Sequence, residues 1–247
     1  MPDRRTGLLR KAENNKLTAM MQVRNEANRY LRMVLDDLSD YVDEIVILDD
    51  GSTDDTVAIC ASYEKVVSLG RSTESQYGLN EAALKRRLFH RAVASRPDWI
   101  LAVDADEVFE RRFHAEVRAL INQAEMDWYS FRFYHFWSSM AHYRTDKLWA
   151  PTQYGPRLFR YMPGAVYRLS NQALHGGSIP VNLVSDFPGA RSDLRIKHYG
   201  YAGTREDIQR KYQFYVARDP RSEFCPRSHY ESMLDGDPVL LPWSEET

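Results

Sequence analysis

An apolar run, Trp99-Ile100-Leu101-Ala102-Val103, drives straight into Asp104-Ala105-Asp106-Glu107. Carboxylates repel one another and need water or a cation between them. Two of them at i and i+2, at the mouth of a greasy strand-length segment, form an oxygen set suited to Mg2+ or Mn2+, with a phosphate completing the shell. A solvated turn would use the same residues, so the motif alone does not choose. If the strand continues, Asp104 and Asp106 share a face, because side chains alternate along a strand. If the chain turns instead, small Ala105 permits it and the pair still converges. Two carboxylates hold such an ion weakly, and His198 is the candidate third ligand. It ends a strand-like run just before Tyr199-Gly200-Tyr201, where Gly200 allows a sharp turn. A satisfied core histidine is the competing reading, and no other histidine shows ligand spacing.

A second acidic set is Asp49-Asp50-Gly51-Ser52-Thr53-Asp54. Gly51 supplies a tight turn and the acids stand near a helix start. In a nucleotide site such an acid accepts from a ribose hydroxyl or a base N–H. The bland reading is an acid-rich cap, with Ser52 capping and Asp55 completing a capping-box-like pair. There is no Gly-x-x-x-x-Gly-Lys loop and no Gly-x-Gly-x-x-Gly turn. A bound diphosphate would therefore be neutralised by metal and basic side chains. Lys85, Arg86, Arg157 and Arg160 are available, although each taken singly reads as a solvated surface charge.

The elements that must position these residues alternate in type. Leu17–Val23 reads as a buried strand, and Asn28–Leu38 carries apolar residues at helical spacing. Glu44–Leu48 is a second strand, Thr56–Tyr63 a helix, Lys65–Leu69 a third strand, and Asn80–Ala94 a long amphipathic helix. Trp99–Val103 is the fourth strand. Such alternation predicts a parallel sheet with right-handed crossovers, with ligands beyond the carboxyl ends of its strands. Arg24-Asn25-Glu26, Asp49-Asp50-Gly51 and Asp104-Ala105-Asp106 all fall at such ends, which strengthens the metal reading. After a helix over Phe113–Ala124 the pattern becomes aromatic and alternating, over 128–134, 156–161 and 194–201, as in a mixed, more antiparallel half. Thr204 opens a further helix with Ile208, Tyr212 and Tyr215 inward. Residues 1–15 read as a flexible arm, 16–110 as a nucleotide-binding half, 111–218 as a second half of the same domain, and 219–247 as an irregular tail.

The chain has 247 residues and a net charge of −2, which excludes a strong general field for nucleic acid. Its two cysteines form no disulfide framework, and a cytoplasmic setting is expected. No apolar run approaches about eighteen residues, so no spanning helix is expected and any membrane contact is peripheral. No signal peptide is read at the start.

In order and spacing, Gln22-Val23-Arg24-Asn25-Glu26, Glu44 to Asp54, and Asp98 to Glu107 resemble family 2 glycosyltransferases of the GT-A fold. The likeness is strong over 17–110. It extends loosely through Arg157-Leu158-Phe159-Arg160, His175-Gly176-Gly177 and Lys197 to Tyr201. That second set is similar to a bacterial branch with lipopolysaccharide-core β-glucosyltransferases and peptide glycosyltransferases.

The resemblance implies a GT-A-like α/β fold: a Rossmann-type, mostly parallel sheet with a mixed or antiparallel acceptor half. It implies a nucleotide-diphosphate sugar donor, a UDP-sugar foremost, and a carbohydrate or peptide acceptor. Val23, Asn25, Glu26, Asp49 and Asp50 match the set lining the nucleoside pocket. Asp104 and Asp106 match the Asp-x-Asp metal motif for Mn2+ or Mg2+, with His198 completing the site and Lys85 or Arg86 near a basic family position. The implied chemistry is inverting displacement with a general base. No Glu-Asp pair occurs between 110 and 200, where that base often lies, leaving Asp146, His175 and Asp186 as candidates. A catalytically silent nucleotide or sugar binder remains an alternative. So does a sugar nucleotidyltransferase, although the glycine-rich basic loop expected of one is missing.

Overall fold

The computed structural model describes residues 8–245. In chain order the elements are β1 (Leu17–Val23), α1 (Leu31–Tyr41), β2 (Glu44–Asp49), α2 (Thr56–Ala61), β3 (Val66–Arg71), α3 (Glu81–Ala94) and β4 (Trp99–Asp104). Then come β5 (Glu107–Phe109), α4 (Arg111–Ile121), β6 (Trp128–Trp137), β7 (His142–Arg144), β8 (Tyr154–Arg160), α5 (Leu183–Asp186) and β9 (Gly189–Tyr201). The chain closes with α6 (Arg205–Arg218), α7 (Arg227–Glu231) and β10 (Leu240–Pro242).

One sheet runs β10-β7-β6-β8-β4-β1-β2-β3, with β9 beside β6 and β5 beside β9. Strands β4, β1, β2 and β3 are mutually parallel, as the alternation with helices requires. Antiparallel β8 joins β4 to the mixed half, where β6 pairs with β8 and, in parallel, with β9. The two halves therefore share one sheet, giving an α/β fold of the expected GT-A-like kind.

Burial on both faces explains the near-continuous apolar reading of β1 and β4. Ala19, Met21 and Val23 pack with Leu31, Val34, Leu35 and Leu38 of α1 and with Phe113 of α4 on one face. Met20 points the other way, toward Val46, Ile100 and Leu84 and Leu88 of α3. Each Val, Leu, Ile, Met or Phe side chain among these contributes about 1.5–3 kcal/mol when fully buried. A third cluster, Trp137, Trp149, Tyr201, Ile208, Tyr230 and Met233, ties α6 and α7 to the end of β6 and β9.

Several expectations are corrected. The arm over 1–15 falls partly outside the described residues; from Leu8 onward it is docked. Arg10 makes a two-pronged pair with buried Asp127, at 2.8 and 2.7 Å, and Asn15 is buried. The tail is not irregular throughout, because α7 packs on α6 and β10 pairs with β7. Ser52 does not cap α2: its hydroxyl accepts from the Asn25 N–H at 2.9 Å, and Asp55 stands at the cap without a side-chain bond. Helix α1 starts at Leu31, three residues later than its periodicity indicates, since 27–30 form turns.

Candidate active site

Register sets the site. Gln22 of β1 pairs with Asp104 of β4, and Val23 with Asp49 of β2, so the three polar clusters leave the sheet at one edge. There a cavity of about 920 Å3 opens, lined by Val23, Asn25, Glu26, Lys85, Asp104 and Asp106, with His175 and His198 also in its wall.

The chain turns after Asp104 rather than continuing as a strand. That turn delivers β5 antiparallel to β9, pairing Glu107 with His198, and Tyr199 N–H donates to the Asp106 carbonyl at 2.8 Å. His198 Nε2 consequently lies 3.6 Å from Asp106 Oδ2. Asp104 Oδ1 is 3.7 Å from Lys85 Nζ. Burial works against the Asp104 carboxylate, but Lys85 and then Arg157 outweigh it and hold its pKa below the usual range. Asp106 goes the other way: burial, aided by Asp104, pushes it up against the pull of Lys211. Burial, then Lys211, drops His198 to about 3, so its ring is neutral. Among the described residues no three His, Cys, Asp or Glu side chains form a ready-made metal cage. The donors present are nevertheless those a hard cation takes when substrate phosphates supply the remaining ligands. A fit of that kind needs one or two carboxylates, and Asp104 and Asp106 provide them.

Asn25 and Glu26 occupy the adjoining wall. Asn25 sits in the left-handed region, φ 51°, and its side-chain oxygen accepts from Thr53 N–H at 2.8 Å, tying the β1 loop to the β2 loop. Burial, opposed by Arg29 and reinforced by Asp106, lifts Glu26 to about 7. One of its carboxylate oxygens is buried with no hydrogen bond among the described residues.

Other expected residues stand elsewhere. Asp50 is fully buried behind the wall, accepting from Ser75 Oγ at 2.7 Å and from the Gln76 and Tyr77 N–H groups at 2.9 Å each. It holds the loop that presents Tyr77 to the cavity instead of facing a ligand. Asp49 is buried as well and accepts from Ser52 N–H at 3.2 Å. Arg86 turns to Asn171 and Arg157 grips Glu107 at 2.9 and 2.7 Å; neither lines the cavity. Arg160 is a core residue, bonded to the Lys11 carbonyl at 2.7 Å. Of the base candidates, Asp146 is paired with Arg144 at 2.6 Å and Asp186 with Arg168 at 3.3 Å, both away from the cavity. His175 alone of the three lines it.

Sequence reasoning missed Arg29, Lys211 and Tyr77, which also line the cavity, and read Tyr215, another lining residue, only as part of the inner face of its helix. Lys211 Nζ lies 4.2 Å from the Tyr201 ring centroid and donates to the Gly200 carbonyl at 3.0 Å. A helical signal existed for it: Asp207, Ile208, Lys211, Phe214 and Tyr215 share one face of α6, and that face meets the cavity. Gly200 serves by size, since a methyl there would stand 2.7 Å from both His198 Nε2 and Lys211 Nζ. No helix among the described residues is long and apolar enough to cross a membrane.

A family model described as Glycosyl transferase family 2 matches residues 18–176. An uncharacterized protein of Mycobacterium tuberculosis is 28% identical over 222 residues, covering 85% of this chain and 52% of its own. An uncharacterized glycosyltransferase of Rickettsia felis is 29% identical over 209 residues, covering 83% of this chain and 69% of that one. The chain thus spans about half the length of the mycobacterial relative. Among solved structures, residues 1–349 of TarS from S. aureus, in a complex with UDP, align with a TM-score of 0.50 at 13% identity, over 89% of this chain and 69% of that one. That likeness concerns the fold.

Proposed function

The chain belongs to glycosyl transferase family 2, and from that premise we propose that it transfers a sugar from a nucleoside-diphosphate donor to a hydroxyl-bearing acceptor, with inversion. One observation carries the reading: two carboxylates, Asp104 and Asp106, share a cavity at the strand ends with the cations Lys85, Lys211 and Arg29. A carboxylate pair flanked by cations fits a diphosphate bound with a divalent ion. UDP, which the TarS fragment binds, is the first nucleotide to try.

The nucleoside would lie against Val23, Asn25 and Glu26. The diphosphate would lie between the carboxylates and Lys85 and Lys211, whose charges stabilise the leaving group where negative charge develops. Mn2+ or Mg2+ held by Asp104 and Asp106, with neutral His198 beside them, would add Lewis-acid stabilisation of that same charge. The aromatic wall of Tyr77, Phe214 and Tyr215 offers flat faces on which a sugar ring of a carbohydrate or glycopeptide acceptor could stack.

The test is thermal stability of the full chain with UDP, GDP, CMP and dTDP, with and without Mn2+. A ligand that binds only the folded state raises the melting point by mass action. A shift with one nucleotide that grows with Mn2+ and vanishes in Asp106→Ala is expected. No shift with any nucleotide would sink the reading, and a shift without turnover would mark a silent binder.

A further inference from the structure

Outside the carboxylate cluster, the cavity wall holds a second built group. The loop over 173–177 carries His175 into the cavity with its backbone in the left-handed region, φ 56°. A non-glycine residue held there is strained and is maintained by its surroundings. Glu81 N–H donates to the Ala173 carbonyl at 3.0 Å, and the buried Glu81 carboxylate takes a backbone hydrogen bond from Gly176. The imidazole centroid is 5.0 Å from that of Tyr215 and 6.1 Å from that of Tyr230, and these two rings stack on each other at 5.8 Å.

His175 Nε2 lies 2.9 Å from the Tyr230 hydroxyl, which donates to Asp219 Oδ2 at 3.0 Å. Tyr230 and Asp219 are buried, and Asp219 also accepts from the Glu223 N–H at 2.7 Å. A phenol has one proton, and here it is directed at the carboxylate. Its oxygen can then only accept from the histidine, which places the imidazole proton on Nε2. Nδ1 is left with a lone pair, and no hydrogen bond to it forms among the described residues. His175 packs against Tyr230 and keeps surface open to the cavity that Asp104 and Asp106 also line.

The geometry points to His175 as the general base of the transfer, with Tyr230 and Asp219 as positioning residues that fix its tautomer. This rests on the glycosyl-transfer reading above. In the step, Nδ1 takes the proton of the acceptor hydroxyl as its oxygen bonds to the anomeric carbon. The bond from that carbon to the diphosphate oxygen breaks, and its electron pair leaves with the nucleoside diphosphate. The imidazolium then gives its proton to water. Burial, with His229 adding to it and Asp219 opposing, holds the His175 pKa below the ordinary histidine value, so the ring is a neutral acceptor at pH 7.

Long-range 1H–15N correlation spectra of the labelled full chain at pH 7.5 read the tautomer directly. His175→Asn, a residue type that tolerates the left-handed backbone, assigns the signals. We expect a neutral, Nε2-protonated ring whose preference is lost in Tyr230→Phe; an Nδ1-protonated or charged ring overturns the proposal. UDP release from UDP-glucose and UDP-N-acetylglucosamine with Mn2+ and alkyl glucoside acceptors gives the second arm. His175→Asn is expected to lower kcat by about 100- to 10,000-fold, a span ordinary for a general base, with the UDP-induced melting shift retained. Asp219→Asn should move the acid limb of the kcat profile to lower pH, a change that a packing defect would not produce. Wild-type rates in His175→Asn, or a native chain that binds UDP and releases none from either donor, overturn the proposal. A chain that binds no nucleotide is the separate failure of the glycosyl-transfer reading, and the tautomer still decides the role of His175.

Discussion

His135 and His198 face each other across β6 and β9 with their Nδ1 atoms 2.8 Å apart. Burial and the neighbouring positive charges keep both rings neutral, so one donates and the other accepts. If His198 Nδ1 carries the proton, its Nε2 presents a lone pair toward Asp106, which is the form that binds a metal.

His135→Phe keeps the ring and removes the partner. We expect Mn2+ affinity in the presence of UDP to fall by about 10- to 100-fold, the usual cost of losing an outer hydrogen bond to a metal-binding histidine. Electron paramagnetic resonance of free Mn2+ measures it, and unchanged affinity would remove His135 from the site.

Gly200→Ala places a methyl 2.7 Å from His198 Nε2 and Lys211 Nζ. Both are side-chain ends that can move aside, so the fold should survive while the cavity floor is displaced. Calorimetry should show UDP binding weakened at least about tenfold, by roughly the 1.4 kcal/mol that such a ratio represents. Far-UV circular dichroism should be unchanged, and an unaltered dissociation constant would show that the floor tolerates the shift.

Asp127 is completely buried between Arg10, at 2.7 Å, and Arg160, at 3.2 Å. Asp127→Ala removes the buried carboxylate that Arg10 and Arg160 share. Breaking a buried pair in this way costs about 3–5 kcal/mol. Urea denaturation should show that loss together with faster proteolysis of the segment over 8–14, which Arg10 pins. A loss below about 1 kcal/mol would mean that the arm is not held through this carboxylate.

Arg144 holds the Asp146 carboxyl below the usual aspartate range. A depressed folded-state pKa contributes stability that is present above the unfolded value, near about 4, and is lost as pH falls through the lower folded value. The stability gap between the native chain and Asp146→Asn should therefore be constant from pH 7 to about pH 5 and shrink below about pH 4. Urea midpoints across that range read it. A gap that grew on acidification would reverse the sign. Because Asp146 lies away from the cavity, donor binding should not change.

Much of the first half was legible because its signals are local. Alternating apolar runs and helical spacing specify β1 to β4 from neighbouring residues alone, and acids at strand ends are visible without any fold. Asp104, Asp106 and His198 were readable for that reason. Asp49 and Asp50 misled for the same reason: a carboxylate after a strand looks alike whether it meets a ligand or, as Asp50 does, the N–H groups of 76 and 77. The basic residues misled too. Arg157 and Arg160 answer to Glu107 and Asp127, partners 50 and 33 positions away, which periodicity cannot report.

By itself, then, the sequence determined the alternation of elements, the parallel block and the acidic edge, since each is a property of short windows. Tertiary structure decided which polar groups face the cavity and which satisfy buried backbone. It turned α6 so that Lys211 and Tyr215 line the same cavity as the carboxylates, and it folded a segment that read as a tail back onto His175 through Tyr230 and Asp219. The physical reason is common to all of these. A hydrogen bond or ion pair depends on distance and direction between atoms, and only long-range packing sets those.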